Sequence, residues 1–399
     1  METRTTRPRR PRNRKSQLAA VAAELFRARG YRGVGITDIA AAAGVTGPAV
    51  YRHFSDKQAI LAHVVLSGVD DLVAMTAHAL EGPKAPGPDQ ITLLMRSLAK
   101  LSVERREAAA LWRSERRHLR AEDQAELRRR SSGLLTAWAR ALRSVRPELS
   151  LGDAELLSWA ALSVFGSVSV HSTRIGKRRF ESLLVERARA VLHCTLPTAN
   201  GAPVHATPER SDQRILRVSR REQLITEASR LFQERGFHEV SMEGIGAAAG
   251  ISGPSVYRHF PSKAALFVAS ATRLADRLEQ GRQQVSRSAA DEAQALRDLT
   301  ASYVGIMRTS AGILGIGAQV NALSEAENAE MRRVQRDYVE EWVRLLCTIR
   351  PELSAREGRI VVHVSLTIAN DLLRTRRMKD RPNIETELVA LMCATLDVP

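Results

Sequence analysis

From residue 17 onward, apolar side chains recur at Leu18, Val21, Leu25 and Phe26, a spacing that gives a helix one apolar face, and Gly30 supplies its stop. The arrangement returns at Leu224, Ala228, Leu231 and Phe232, closed by Gly236. The next stretch, GITDIAAAAGVTGPAVYRHFSDK (35–57), predicts two short helices. Ile39, Ala40 and Ala43 give the first a packing face, and Gly44 can take the positive φ that ends it. Thr46 is placed to N-cap the second, Pro48 suits its first turn, and Val50 and Phe54 pin it to a core. Ala49, Tyr51, Arg52 and His53 are left on or near the outer face. Farther on, long helical periodicities are broken at 82–88 (GPKAPGP), 146–149 (RPEL) and 176–179 (GKRR). No alternating run is bounded by a hairpin turn. The pattern predicts an all-α protein with roughly nine helices in each half.

Displacing the sequence on itself by 206 residues lays AGVTGPAVYRHFSDK (43–57) over AGISGPSVYRHFPSK (249–263), with ten of fifteen positions identical. Later, VRPELS (145–150) pairs with IRPELS (349–354), so the match runs through each half. A repeat of that length is domain-sized. The expected organisation is a basic arm (1–15), a helix-turn-helix (16–62) and a helical regulatory portion (63–196). A linker (197–216) rich in Pro, Gly and Ala follows, then a second helix-turn-helix (217–268) and a second regulatory portion (269–399). The apolar segments 155–170 and 358–373, dotted with Ala, Ser and Gly, are the expected facing helices. Segments 180–195 and 383–396 would complete a four-helix interface between the halves.

Composition adds an asymmetry. The 399 residues carry a net charge of +16, with 33 Lys+Arg against 19 Asp+Glu before residue 200 and 27 against 25 after it. Seven basic residues fall within the first fifteen, interleaved by Pro8 and Pro11, as suits an extended arm that touches phosphates. Cys194, Cys347 and Cys393 form no close pair, so neither a disulfide framework nor a zinc site is indicated, and no metal or cofactor is called for. The amino terminus lacks the apolar stretch of a secretory leader, and no run of 18 apolar residues occurs, so a cytoplasmic protein is expected.

Two short helices joined by a glycine turn, the second carrying polar tips, form a helix-turn-helix, and Tyr, His and Lys there can reach phosphate oxygens. Both copies resemble the DNA-binding segment of the TetR family of bacterial repressors. The likeness runs from Ile39 to Leu61, and from Ile245 to Leu266 with Gly246 in place of Ala. The resemblance implies three N-terminal helices followed by a larger helical domain for ligand binding and dimerisation. It also implies that Thr37, Thr46, Gly47, Pro48, Ala49 and Arg52 approach bases while Tyr51, His53 and Lys57 hold phosphates. In the second copy Ser252, Gly253, Pro254, Ser255, Tyr257, Arg258, His259 and Lys263 stand at the matching places, and Glu243 replaces Thr37. Family members bind DNA as two-fold dimers. A chain with both units is therefore expected to fold as an intrachain pseudo-dimer that repressively occupies an imperfect inverted-repeat operator, alone or as a dimer of such chains.

The regulatory portions have diverged. ALWRSERRHLR (110–120) carries Arg113, Arg116, Arg117 and Arg120, whereas GIGAQVNALSE (315–325) has no arginine. Those guanidiniums could receive a carboxylate or the phosphates of an acyl-CoA, or simply form a solvated face. Trp112, Trp138, Trp159, Phe165, Tyr303, Met307, Trp342 and His363 are candidate pocket walls, although at helical spacing such residues are more often plain core. Similarity to tandem actinobacterial regulators of lipid metabolism implies a lipid or acyl-CoA effector. No nucleophile elbow, zinc-protease or phosphate-loop motif is present, so no enzyme is predicted. The alternative is a helical protein-interaction scaffold that has lost DNA readout in one repeat, and both copies keep their Tyr, His and Lys.

Overall fold

The computed structural model describes residues 14–81, 87–197, 219–310 and 323–398. The basic arm before Arg14, nearly all of the linker and most of 315–325 lie outside them. Among the described residues every regular element is helical, with nine α-helices in each half. The first half comprises α1 (Arg14–Arg29), α2 (Ile36–Ala42), α3 (Gly47–Tyr51), α4 (Lys57–Ala79), α5 (Pro88–Glu104), α6 (Arg106–Ser114), α7 (Ala121–Val145), α8 (Leu151–Gly166) and α9 (Lys177–His193). The second comprises α10 (Arg220–Arg235), α11 (Met242–Ala248), α12 (Gly253–Tyr257), α13 (Lys263–Ser288), α14 (Glu292–Ser310), α15 (Glu325–Ile349), α16 (Ala355–Leu373), α17 (Arg376–Lys379) and α18 (Ile384–Leu396).

The glycine stops fall where the sequence placed them, but the break expected at 176–179 lies before it, since Lys177, Arg178 and Arg179 form the first turn of α9. Gly30 and Gly44 take φ of 71° and 63°, and Gly236 and Gly250 repeat this at 83° and 70°, conformations that a β-carbon would strain. Pro88 opens α5, with the Gly87 N–H donating to Gln90 Oε1 at 2.9 Å. Helix α4 is long and apolar enough to cross a membrane by length and composition, with a mean hydropathy of 1.5. His63, Ser67, Asp70 and Asp71 interrupt its apolar run. It packs on α1, α5, α6 and α7 and buries Ile60, Leu61, Val64, Val65 and Val69.

The first helix-turn-helix has a core of its own, built on Leu18, Phe26, Ile39, Val50 and Leu61 and closed from the regulatory side by Leu111, Leu119 and Leu127. The second, around Leu224, Phe232, Ile245 and Val256, is continuous with one large core through both regulatory portions. Between the halves α8 packs on α16, α9 on α18 and α9 on α16, the four-helix interface expected from the small-residue segments. Ser158, Ala160, Ala161 and Ser365 are fully buried there, which lets the backbones approach closely. Polar contacts fix the pairing: Arg187 Nη1 donates to Thr395 O at 3.1 Å, and Arg381 Nη2 to Asp153 Oδ1 at 2.6 Å. The rings of His171 and His363 stack at 5.2 Å. The chain is thus a pseudo-dimer of two helical units. Its two heads meet where Arg32 faces Glu239 at 3.7 Å on exposed surface.

Candidate nucleic-acid interface and effector cavity

Each head is built to hold a short helix outward. Val50 and Phe54 are buried under α3, as Val256 and Phe260 are under α12. Tyr51 and Tyr257 consequently stand 57% and 51% exposed, the most exposed large hydrophobic side chains among the described residues. Arg52, His53, Arg258 and His259 are exposed beside them, and Thr46, Pro48, Ser252 and Pro254 mark the exposed start of each helix. Gly47, Ala49, Gly253 and Ser255 are half-buried on the same edge. Thr46 and Ser252 take N-cap backbone angles without a side-chain capping bond. Ser252 Oγ instead shares a hydrogen bond of 2.8 Å with Ser255 Oγ, a contact that Ala49 cannot offer Thr46.

The helices behind differ as well. Asp38 closes the start of α2 by accepting from Gly35 N–H at 2.7 Å, whereas Ser241 Oγ accepts from Gly244 N–H at 3.0 Å in α11. Thr37 and Glu243 are both exposed. The stem of Glu243 lies across the base of α12, since a β-carbon on Gly253 would come within 3.1 Å of its Cγ, while nothing lies within 4 Å of one on Gly47.

Lys57 and Lys263 depart from the expectation of simple phosphate ligands. Lys57 Nζ donates to Tyr31 O at 2.9 Å and Val34 O at 2.8 Å, and lies 4.3 Å from the Tyr31 ring. Lys263 repeats this with His238 O at 3.3 Å, Val240 O at 2.7 Å and the Phe237 ring at 4.6 Å. Two of three donors therefore close the preceding loop, leaving one for an outside partner. Burial, followed by the Arg32 charge, pulls both ammonium pKa values below the usual lysine range. The sequence shows a lysine beside a motif and nothing of the carbonyls that receive it.

The run of four arginines is dispersed by helical geometry. Arg120 pairs with Asp56, the residue that caps α4, and Arg117 reaches Gly236 of the other head. Only Arg113 and Arg116 point toward an opening. Between α4, α5, α6, α7 and α8 lies a cavity of about 150 Å³, walled by Val69, Leu72, Leu98, Leu134, Leu162 and Phe165. Arg113 stands at its edge, paired with Asp371 of the second half by bonds of 2.7 and 2.5 Å.

Of the predicted walls, Trp159 and Phe165 line this cavity and Arg116 an adjoining crevice. Trp138 is buried behind, its Nε1 donating to Thr76 Oγ1 at 3.3 Å, and the side chain of Trp112 lies outside the described residues. Tyr303, Met307 and Trp342 are instead closed core of the second half, with Tyr303 Oη donating to Asn370 Oδ1 at 3.1 Å and packing edge-on against Trp342. Tyr338, 204 positions after Leu134, occupies the matching place there and adds its ring to the cluster. His363 sits at the interface rather than in a pocket. No group of three His, Cys, Asp or Glu able to hold a metal occurs among the described residues.

Two outward helices on glycine turns, carried on a helical pseudo-dimer, define a DNA-binding regulator. Residues 18–64 and 224–270 each match the sequence model for bacterial regulatory proteins of the tetR family. The chain is a TetR-family transcriptional regulator with two such units in tandem. Over 173 residues it is 29% identical to the transcriptional activator FasR of Mycolicibacterium smegmatis, covering 43% of this chain and 79% of that protein. Over 59 residues it is 37% identical to the transcriptional repressor KstR2 of Rhodococcus jostii, covering 15% of this chain and 29% of that one. A solved tetR-family regulatory protein from Rhodococcus RHA1 aligns over 46% of this chain and 100% of its own, at 23% identity and a TM-score of 0.41.

Proposed function

We propose that one chain grips an imperfect inverted-repeat operator with both of its heads and represses by occupying it until an effector binds the first regulatory unit. The observation that carries this is the paired exposure of Tyr51 and Tyr257 on matched helices whose other faces are buried. An exposed aromatic with Arg and His beside it suits phosphate anchoring, with Thr37, Thr46, Pro48 and Ala49, or Glu243, Ser252, Pro254 and Ser255, facing base edges. The two helices read major grooves about one turn apart, roughly 34–36 Å. The apolar cavity with arginine at its edge suits a lipid or acyl-CoA effector.

Selection of bound sequences from a random DNA library tests the reading. It should return two related half-sites in inverted orientation. Their agreement should be lost where Thr37 faces one arm and Glu243 the other, each mismatched base pair costing about 1–3 kcal/mol. Recovery of a single half-site, or of no preferred sequence, would leave one head a protein-interaction surface.

A further inference from the structure

The cavity of the first unit takes part of its lining from the second. Asp371 of α16 lines it beside Arg113, the residue with which it pairs. Both side chains of that pair are almost withdrawn from solvent, at 12% and 10% exposure. The guanidinium packs on α8, where a β-carbon at Gly166 would come within 2.6 Å of Nη2 and push it aside. Beyond the pair, a crevice of about 20 Å³ is lined by Arg113, Arg116, Trp159, Asp371, Arg374 and Thr375. Three guanidiniums thus converge around one carboxylate, an excess of positive charge at the end of an apolar hole.

We propose that the effector is an amphiphile whose anionic group takes Arg113 from Asp371 while its apolar body fills the cavity, so that occupancy is read as the opening of an ion pair between the two units. This rests on the reading of the chain as an effector-responsive regulator. A carboxylate or phosphate offers Arg113 the same two-pronged acceptor that Asp371 does, so the exchange strands no buried cation. Asp371 is not stranded either, because Arg374, the C-cap residue of α16 whose Nη2 donates to Arg113 O at 3.4 Å, lines the same crevice. A neutral ligand has no such substitute to offer and would have to leave the pair in place. A cavity of this size holds a body of about six carbons, comparable to a benzene ring. The released residue lies on α16, which packs across the interface on α8 and α9, so loosening it acts on the joint between the units and through them on the heads. The second unit carries Tyr303, Met307 and Tyr338 in the corresponding core, which leaves one effector site to each chain among the described residues.

Hexanoate, hexyl phosphate and 1-hexanol, titrated calorimetrically into the full chain, test this directly. The anions should bind with one site per chain, and about tenfold more tightly than the alcohol. Asp371→Asn removes the competing carboxylate and should tighten anion binding by about tenfold, with the alcohol unchanged. Arg113→Gln should erase the preference for anions. The stronger of hexanoate and hexyl phosphate assigns the head group. Equal binding of alcohol and acid, an Asp371→Asn chain with unaltered anion affinity, or no binding by any of the three would overturn the proposal. Operator affinity is measured separately by fluorescence anisotropy. Operator binding without any probe binding sinks the exchange and leaves the regulator standing. Arg113-dependent anion binding in a chain that selects no DNA sequence does the reverse.

Discussion

Tyr51 and Lys57 stand six positions apart in one motif and separate the two things that a charged or polar side chain can do at such a surface. Tyr51 is exposed and carries no bond that holds the fold, so on the proposed reading its replacement should act on DNA binding and not on folding. Tyr51→Ala should weaken operator binding while shifting unfolding free energy by no more than about 0.5 kcal/mol. Lys57→Ala should do the opposite first. It leaves the Tyr31 and Val34 carbonyls without their donor and should cost the first head about 1.5–3 kcal/mol. Chemical denaturation followed beside DNA anisotropy for both variants checks this, and a Lys57→Ala chain of unchanged stability would return the lysine to a purely DNA-facing role. The outward set, Tyr51, Arg52 and His53, was legible because Val50 and Phe54 fix the phase of the helix. The inward turn of Lys57 was not, because the carbonyls that receive it lie 23 and 26 residues earlier, on a loop whose shape no local pattern gives.

At the level of whole elements, the two motifs look interchangeable in sequence and are packed differently. Ala40 is buried in the first head, and Gly246 replaces it in the second. A β-carbon at 246 would sit 2.8 Å from Val256 Cγ2 and 3.0 Å from Ile251 O, so α11 and α12 approach more closely than their counterparts can. Restoring the family's alanine should therefore harm this head: Gly246→Ala should destabilise it by about 1–3 kcal/mol, despite the better helix propensity of alanine. Hydrogen exchange of α11 and α12 amides reads the effect locally, and a stabilised Gly246→Ala chain would mean that the neighbours give way freely. Element boundaries were legible where glycine or proline forces them, as at Gly30, Gly44 and Pro88. The cavity was not. Whether helices enclose a hole or fill it depends on pairs such as Leu134 and Tyr338, apolar or aromatic residues in the same register, whose difference in volume becomes meaningful only once the opposing helices are placed.

For the molecule as a whole, the joint between the units carries more consequence than either unit. Segments rich in Ala, Ser and Gly announced the facing helices, because close helix packing needs small residues. They could not announce cross-unit pairs such as Arg113 with Asp371, separated by 258 residues. The same joint makes the assembly sensitive to acid. His171 and His363 stack across it with Arg106 and Arg359 nearby, and the His171 ring nitrogens are buried without a hydrogen-bond partner. Burial above all, reinforced by these neighbouring groups, pushes His171 down to about 3 and His363 to about 4. In the unfolded chain both take a proton near pH 6.5. As pH falls below 6.5 the unfolded state therefore binds protons that the folded state refuses, and stability must fall. The contribution is complete above pH 6.5, declines down to about pH 3 and levels off below the folded values. His118, also held near 4 chiefly by burial, works in the same direction at the first head. Urea midpoints measured from pH 7.5 to 4.5 should fall steadily, across a window that lies above the range in which the ion-paired carboxylates titrate. A His171→Phe, His363→Phe chain keeps an aromatic stack without a proton site and should show a shallower fall, with the shares of His118 and of His63, whose pKa burial also lowers, remaining. An unchanged slope would mean that the two rings separate and hydrate before the units unfold, so that the joint opens at a lower free-energy cost than the cores it connects.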